Sequence, residues 1–163
     1  MVTAFDEPAL GGVYKLTAVR DSSLDPWTYK LKLSEQVNKA SIPGVLQVRR
    51  YDSGSEFLAD VLYDEQMGIG SAGVVIDATD VTRQKHIPSE TRSTDLLVPV
   101  FRAGKRVMEL PTLVESRQYA ADQLNRLHAG IKRLIHPHEY PAGLSRNLFE
   151  LRNKLVLKLK EKQ

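Results

Sequence analysis

Residues 45–63 read VLQVRRYDSGSEFLADVLY and have the pattern of a β-hairpin. Two stretches rich in β-branched and aromatic residues, 45–51 and 57–63, flank the turn-forming residues Asp52-Ser53-Gly54-Ser55. Because a hairpin pairs its strands locally, this segment predicts an antiparallel sheet.

Further strands are predicted on both sides of this hairpin. Residues 12–20 are rich in β-branched and aromatic side chains, and residues 74–76 are a short apolar run. Residues 29–33 alternate apolar and basic side chains, which is typical of a half-buried antiparallel strand. The turn at residues 103–105 predicts a second hairpin.

The last third of the chain has helical patterns. Thr112 and Glu115 have the spacing of a capping box, and Ser145 is the expected N-cap of a final helix with a leucine stripe. The apolar residues that line one face of the earlier helix are Leu113, Ala120, Ala121, Leu124 and Leu127. The predicted fold class is therefore α+β, with an antiparallel β-rich region followed by C-terminal α-helices.

The composition is that of an ordinary globular domain. Of the 163 residues, 42% are apolar and 26% are charged, and the net charge is +3. The chain has no cysteine, which excludes disulfides and thiol nucleophiles. No apolar run approaches the roughly 20 residues that span a bilayer, and the first residues lack the features of a signal peptide. We therefore expect a cytoplasmic protein without a membrane partner.

Two motifs that often bind ligands are interpreted here as loops. Residues 68–73 match G-x-G-x-x-G, but the residues that follow favour a strand rather than the helix such a site requires. Residues 136–139 hold two imidazoles and a carboxylate, without a further ligand nearby. We predict neither a dinucleotide site nor a metal site from these motifs, and we assign no catalytic residue.

A basic strand face is another candidate binding surface. Lys30, Lys32, Arg49 and Arg50 could line one face of the sheet beside tyrosines, as in oligonucleotide-binding domains. The β-rich part carries no excess of positive charge, which disfavours nucleic acid as a partner. A freestanding β-rich module for nucleic-acid binding or assembly is therefore the alternative function.

Four groups of short stretches, each weak alone, form a specific pattern when taken in order. They are residues 2–3 and 8–16 (VT, PALGGVYKL); 32–35, 43–44 and 47–50 (KLSE, PG, QVRR); 97–101 and 110–113 (LVPVF, LPTL); and 138–141 and 143–145 (HEYP, GLS). In this order and spacing they resemble the C-terminal part of bacterial nicotinate phosphoribosyltransferase, over nearly the whole chain.

The resemblance implies the C-terminal region of an irregular α/β-barrel phosphoribosyltransferase. Members of that family make nicotinate mononucleotide from nicotinate and phosphoribosyl pyrophosphate, with ATP and Mg²⁺, in NAD salvage. The family's barrel, with its phosphorylated histidine, has no counterpart in this sequence. We therefore expect the chain to be inactive alone, to bind no cofactor itself, and to pair with the N-terminal portion of the same enzyme or to form a homo-oligomer.

The same resemblance divides the chain into three parts. Residues 1–25 correspond to a remnant of a barrel strand and its connection, residues 26–110 to a β-rich C-terminal domain, and residues 111–163 to a helical end. A barrel strand without its neighbours leaves an unpaired edge and exposed apolar surface, so we expect both.

The candidate substrate-binding residues are those that follow the family's phosphate-binding strand. They are Thr3, Gly11, Gly12, Tyr14 and Lys15. Two adjacent glycines would let the backbone approach a ligand closely, and Lys15 would favour an anion. The alternative is that the glycines form a turn and that the neighbouring side chains only pack on the barrel.

Overall fold

The computed structural model describes residues 14–33, 41–70 and 73–161. Their elements, in chain order, are β1 Ala18–Val19, β2 Thr28–Tyr29, β3 Leu46–Asp52, β4 Phe57–Asp64, β5 Val74–Ile76, β6 Gln84–His86, β7 Ser93–Asp95, β8 Phe101–Arg102, β9 Lys105–Arg106, α1 Leu113–Asn125, β10 Ala142–Leu144 and α2 Arg146–Lys160. The predicted α+β class is confirmed. The predicted division at residues 25/26 and 110/111 stays a prediction.

The largest sheet has the strand order β6-β5-β10-β4-β3-β7. The hairpin β3–β4 is formed as predicted, with an irregularity between Tyr51 and Asp52. The strands are antiparallel except for one pair, because β10 runs parallel to β4 and antiparallel to β5. β10 was not expected from the sequence; it comes from the helical end of the chain and lies inside the sheet.

β10 fits between β4 and β5 because its middle residue has no side chain. A Cβ atom on Gly143 would overlap the backbone carbonyl of Ile76 on β5. The next residues, Leu144 and Ser145, are buried, and the Ser145 hydroxyl caps α2 as predicted. α2 packs on β4 and β5 and buries Leu148 completely. The glycine therefore sets the position of both the strand and the helix that follows it.

Two further strand pairs stand apart from this sheet. The predicted hairpin near residues 103–105 is confirmed as β8–β9, with Ala103 and Gly104 at positive φ in its turn. β1 pairs with β2 over two residues each, so most of the strand predicted at 12–20 is absent from the described residues 14–20. Side chains 29–33 alternate between partly buried and exposed, as their pattern predicted.

Asp64 ties the β1–β2 pair to the end of β4. Its buried carboxylate accepts hydrogen bonds from the Val45 N–H (2.7 Å), the Tyr29 hydroxyl (2.7 Å) and the Met67 N–H (3.1 Å). Three donors satisfy most of the acceptor capacity of this charge, which has to be compensated in a buried position. Tyr29 is thus the side chain through which the small strand pair is attached.

The Tyr29 hydroxyl makes stability depend on pH in the alkaline range. Burial, the hydrogen bond to Asp64 and the charge of Asp64 raise the pKa of Tyr29 from 10.0 to about 12. Because the folded protein favours the neutral phenol, this contribution is fully present below pH 10 and is lost as the pH rises through about 12. Between pH 10 and about pH 12, we expect the Tyr29→Phe variant to lose less stability than the unsubstituted chain. Urea unfolding at a series of pH values measures the difference.

The comparison isolates Tyr29 because the other tyrosines are present in both proteins. Tyr51 and Tyr63, whose pKa values are also raised by burial, contribute equally to the two curves. Parallel loss of stability in the two proteins above pH 10 would show that the phenol of Tyr29 ionises as easily in the folded chain as in the unfolded one.

Candidate functional site

The predicted substrate-binding residues fall at the start of the described chain. Thr3, Gly11 and Gly12 lie outside the described residues. Tyr14 and Lys15 are exposed, and with Leu16 they line a shallow groove of about 410 Å³. Their assignment to a substrate site stays a prediction.

The structure places two further lysines at this groove. Lys30 and Lys32 also line it, because the Lys30 N–H donates to the carbonyl of Thr17 (2.8 Å) and so holds the two segments together. Three lysines on one groove attract an anion. From the sequence, Lys15 was expected in this role, whereas Lys30 and Lys32 were expected on a different surface.

The predicted basic strand face is wrong as a four-residue surface. Lys30 and Lys32 lie on or beside the β1–β2 pair, whereas Arg49 and Arg50 are adjacent residues of β3 in the larger sheet. Side chains of adjacent strand residues point to opposite faces, so the two arginines cannot share a surface.

Both arginines are also neutralised by carboxylates. Arg49 binds Asp95 through two hydrogen bonds of 2.8 and 2.9 Å, which raise the pKa of Arg49 and lower that of Asp95. Arg50 binds Asp60 in the same bidentate manner, at 2.8 and 2.6 Å. Paired in this way, they add little to a field that would attract nucleic acid.

The Arg50–Asp60 pair belongs to a network that joins three parts of the chain. The Tyr140 hydroxyl donates to Asp60 (2.9 Å), and a third hydrogen bond from Arg50 reaches Gln123 on α1 (3.1 Å). Burial and the charge of Asp60 raise the pKa of Tyr140, so it is a neutral phenol at physiological pH. The network positions residues 139–142, which lead into β10.

A cleft of about 560 Å³ lies beside this network. Its charged lining residues include Arg83 and Glu139, which form an ion pair with each other, and Lys85, which donates to the carbonyl of Leu58 (2.8 Å). Because these groups bind protein atoms, the cleft offers few charged groups to a ligand.

The two motifs interpreted as loops have the surroundings expected of loops. Residues 68–70 come after β4, Gly68 and Gly70 have positive φ, and β5 rather than a helix follows. His138 stacks on His128, with ring centres 6.3 Å apart, and Glu139 is occupied by Arg83. Among the described residues, no three His, Asp or Glu side chains are placed to hold a metal ion.

α1 has an unusual environment for a helix with an apolar face. It begins with the predicted capping box, in which the Thr112 N–H donates to Glu115 (2.7 Å). Yet it buries none of its residues, and Leu113, Val114 and Leu124 are each more than half exposed. The sequence pattern found this face, but it gave no signal that the face points away from the sheet.

Comparisons with known proteins agree on one family. Residues 47–152 match the family described as "Nicotinate phosphoribosyltransferase C-terminal domain". The chain is similar to nicotinate phosphoribosyltransferase of Bacillus subtilis (strain 168), with 28% identity over 99% of this chain and 33% of the relative. It is also similar to the Homo sapiens enzyme of the same name, with 31% identity over 95% of this chain and 28% of the relative.

A solved structure resembles the chain as well. The crystal structure of human nicotinic acid phosphoribosyltransferase superimposes with a TM-score of 0.59 at 27% identity, over 71% of this chain and 23% of that one. The chain therefore spans about a third or less of the length of these relatives.

Proposed function

The chain belongs to the nicotinate phosphoribosyltransferase C-terminal domain family, and from this premise we propose that it works with a catalytic barrel to make nicotinate mononucleotide. In the proposed reaction, nicotinate and phosphoribosyl pyrophosphate are the substrates and ATP hydrolysis drives the transfer. The observation that carries the proposal is the family match over residues 47–152, which include the central hairpin β3–β4 and the inserted strand β10.

The side chains of the described residues support a non-catalytic role for this chain. Asp60 and Asp95 are held by arginines, and burial keeps Tyr63 and Tyr140 as neutral phenols. A general acid or base needs a pKa near the working pH and access to substrate. In this proposal, ATP and Mg²⁺ act on residues of the barrel. Among the described residues of this chain, no three His, Asp or Glu side chains are placed to hold a metal ion.

An activity assay tests this function. We expect the purified chain to form no nicotinate mononucleotide from nicotinate, phosphoribosyl pyrophosphate and ATP. Mixed with the Bacillus subtilis relative from which the matching third is deleted, it should restore formation of the product. Turnover by this chain alone would contradict the proposed division of labour, and failure to restore activity would contradict the proposed function.

The lysine groove is the part of this chain that we propose to contact substrate. Lys15, Lys30 and Lys32 would bind a phosphate group of phosphoribosyl pyrophosphate at the edge of the barrel site. In the reconstituted enzyme, we expect the triple substitution to alanine to raise the KM for that substrate about tenfold, with little change in kcat. Lys160→Ala on α2 is the control. An unchanged KM would remove these lysines from the site.

The location of the protein is also a proposal. No described helix is both long and apolar enough to cross a bilayer. We propose a cytoplasmic location because phosphoribosyl pyrophosphate and ATP, which the proposed reaction uses, are highly charged metabolites.

A further inference from the structure

α1 is attached to the sheet by the polar side of its C-terminal end. Gln123 accepts a hydrogen bond from Arg50 (3.1 Å), and the carbonyl of Arg126, just after the helix, accepts one from the Phe57 N–H (2.9 Å). The Arg126 guanidinium lies 4.3 Å from the centre of the Phe57 ring and 3.1 Å from Asp52. The helix is therefore held at one end by polar groups and ring contacts.

The apolar side of α1 points elsewhere. At 3.6 residues per turn, Leu113, Ala120, Leu124, Ala121 and Val114 lie roughly 60–180° around the helix from Gln123. Leu113 is 74% exposed, Val114 76% and Leu124 58%. An amphipathic helix normally turns such a stripe towards its own core. These five residues form the α1 arc, which instead faces away from the sheet.

The length of α1 gives an independent reason to expect a cover on this arc. The helix has 13 residues and buries none of them. Isolated helices of about 12–15 residues are marginally stable in water, and most helical stability in proteins comes from packing an apolar face. A contact with another surface would supply that packing.

We propose that the α1 arc is the surface on which this chain docks to the catalytic barrel of the proposed enzyme. The proposal rests on the proposed function. The occupant follows from length, because about two thirds of the Bacillus subtilis relative has no match in this chain and is available to cover the arc. The α1 arc carries few charged groups, as do the cores of permanent interfaces.

The charge within the arc specifies the partner surface further. Arg117 lies between Leu124 and Ala121 around the helix, and it has no hydrogen bond or ion pair to a residue within 14–33, 41–70 or 73–161. The complementary surface is therefore an apolar groove with an acceptor, such as a carboxylate, opposite Arg117.

The test measures binding of the full chain to the Bacillus subtilis relative lacking its matching third. The double variant Leu113→Glu/Leu124→Glu places charges in the arc. Leu24→Glu, at a side chain that is 95% exposed in the β1–β2 connection, is the matched control. We expect the double variant to raise the dissociation constant roughly 30-fold or more and the control to leave it within about twofold. Equal thermal unfolding of the three proteins establishes that the folds are intact.

The outcomes separate this docking surface from the proposed function. If the unsubstituted chain binds and restores activity while the double variant does both equally well, the docking surface is wrong and the function stands. The docking surface is also wrong if Leu24→Glu weakens binding as much as the double variant does. It is wrong, too, if the double variant abolishes self-association, measured by sedimentation, and leaves binding to the relative unchanged. If the unsubstituted chain neither binds nor restores activity, both proposals fail.

Discussion

Gly143→Ala is expected to destabilise the chain by about 3 kcal/mol or more. The added Cβ atom would overlap the carbonyl of Ile76 on β5, a backbone atom that cannot rotate away. β10 would have to move from its place between β4 and β5, which separates the two halves of the sheet and lifts α2 from its position. Urea unfolding followed by circular dichroism measures the loss.

Ala142→Ser is the control for this substitution. Ala142 is the exposed neighbour on the same strand, so the added hydroxyl can reach solvent. We expect its effect to remain within about 0.5 kcal/mol. If Gly143→Ala unfolds at the same urea concentration as the unsubstituted chain, then β10 is not held against β5 as the structure shows.

Asp64→Ala is expected to cost about 3 kcal/mol, because it leaves three hydrogen-bond donors without their acceptor. The Val45 amide lies directly before β3, and the Met67 amide lies just after β4. The Tyr29 hydroxyl comes from the separate β1–β2 pair. Removing the carboxylate therefore loosens the small strand pair as well as the sheet. Calorimetric unfolding gives the overall loss, and hydrogen exchange at residues 28–33 gives the local one.

A double-mutant cycle assigns part of that loss to the Tyr29–Asp64 contact. Tyr29→Phe and Asp64→Ala should together cost less than the sum of the two single effects, because each removes the same hydrogen bond. Asp21→Ala, at an exposed carboxylate in the β1–β2 connection, is the control and should change stability little. Additive effects would show that the two side chains do not interact in solution.

Local features of this fold could be predicted from sequence, and non-local ones could not. The β3–β4 hairpin, the turn between β8 and β9, and the helix caps at Thr112 and Ser145 depend on neighbouring residues. β10 has only the sequence Ala-Gly-Leu, which favours no particular structure. It becomes a strand because two partners distant in sequence leave a slot that only a glycine fits.

In the candidate site, too, the contacts between residues distant in sequence could not be predicted. Lys15 could be named from its place in a family pattern, but its meeting with Lys30 and Lys32 requires the pairing of β1 with β2. Arg49 resembled a free basic residue because its partner, Asp95, is 46 residues away. The expected exposed apolar surface is present in the described part of residues 1–25, where Tyr14, Leu16 and Leu24 are exposed. The exposed apolar face of α1 was not expected from the sequence.

The late arrival of β10 has a consequence for how the protein is made. During synthesis, β4 and β5 leave the ribosome long before residues 142–144. Until then, the position of β10 between these two apolar strands is an empty slot in the nascent sheet. Sequence-distant pairings of this kind slow folding, and open strand edges are where nascent chains aggregate. Chaperone binding, or premature association with another nascent chain, would therefore concentrate on this slot until residues 142–144 have left the ribosome.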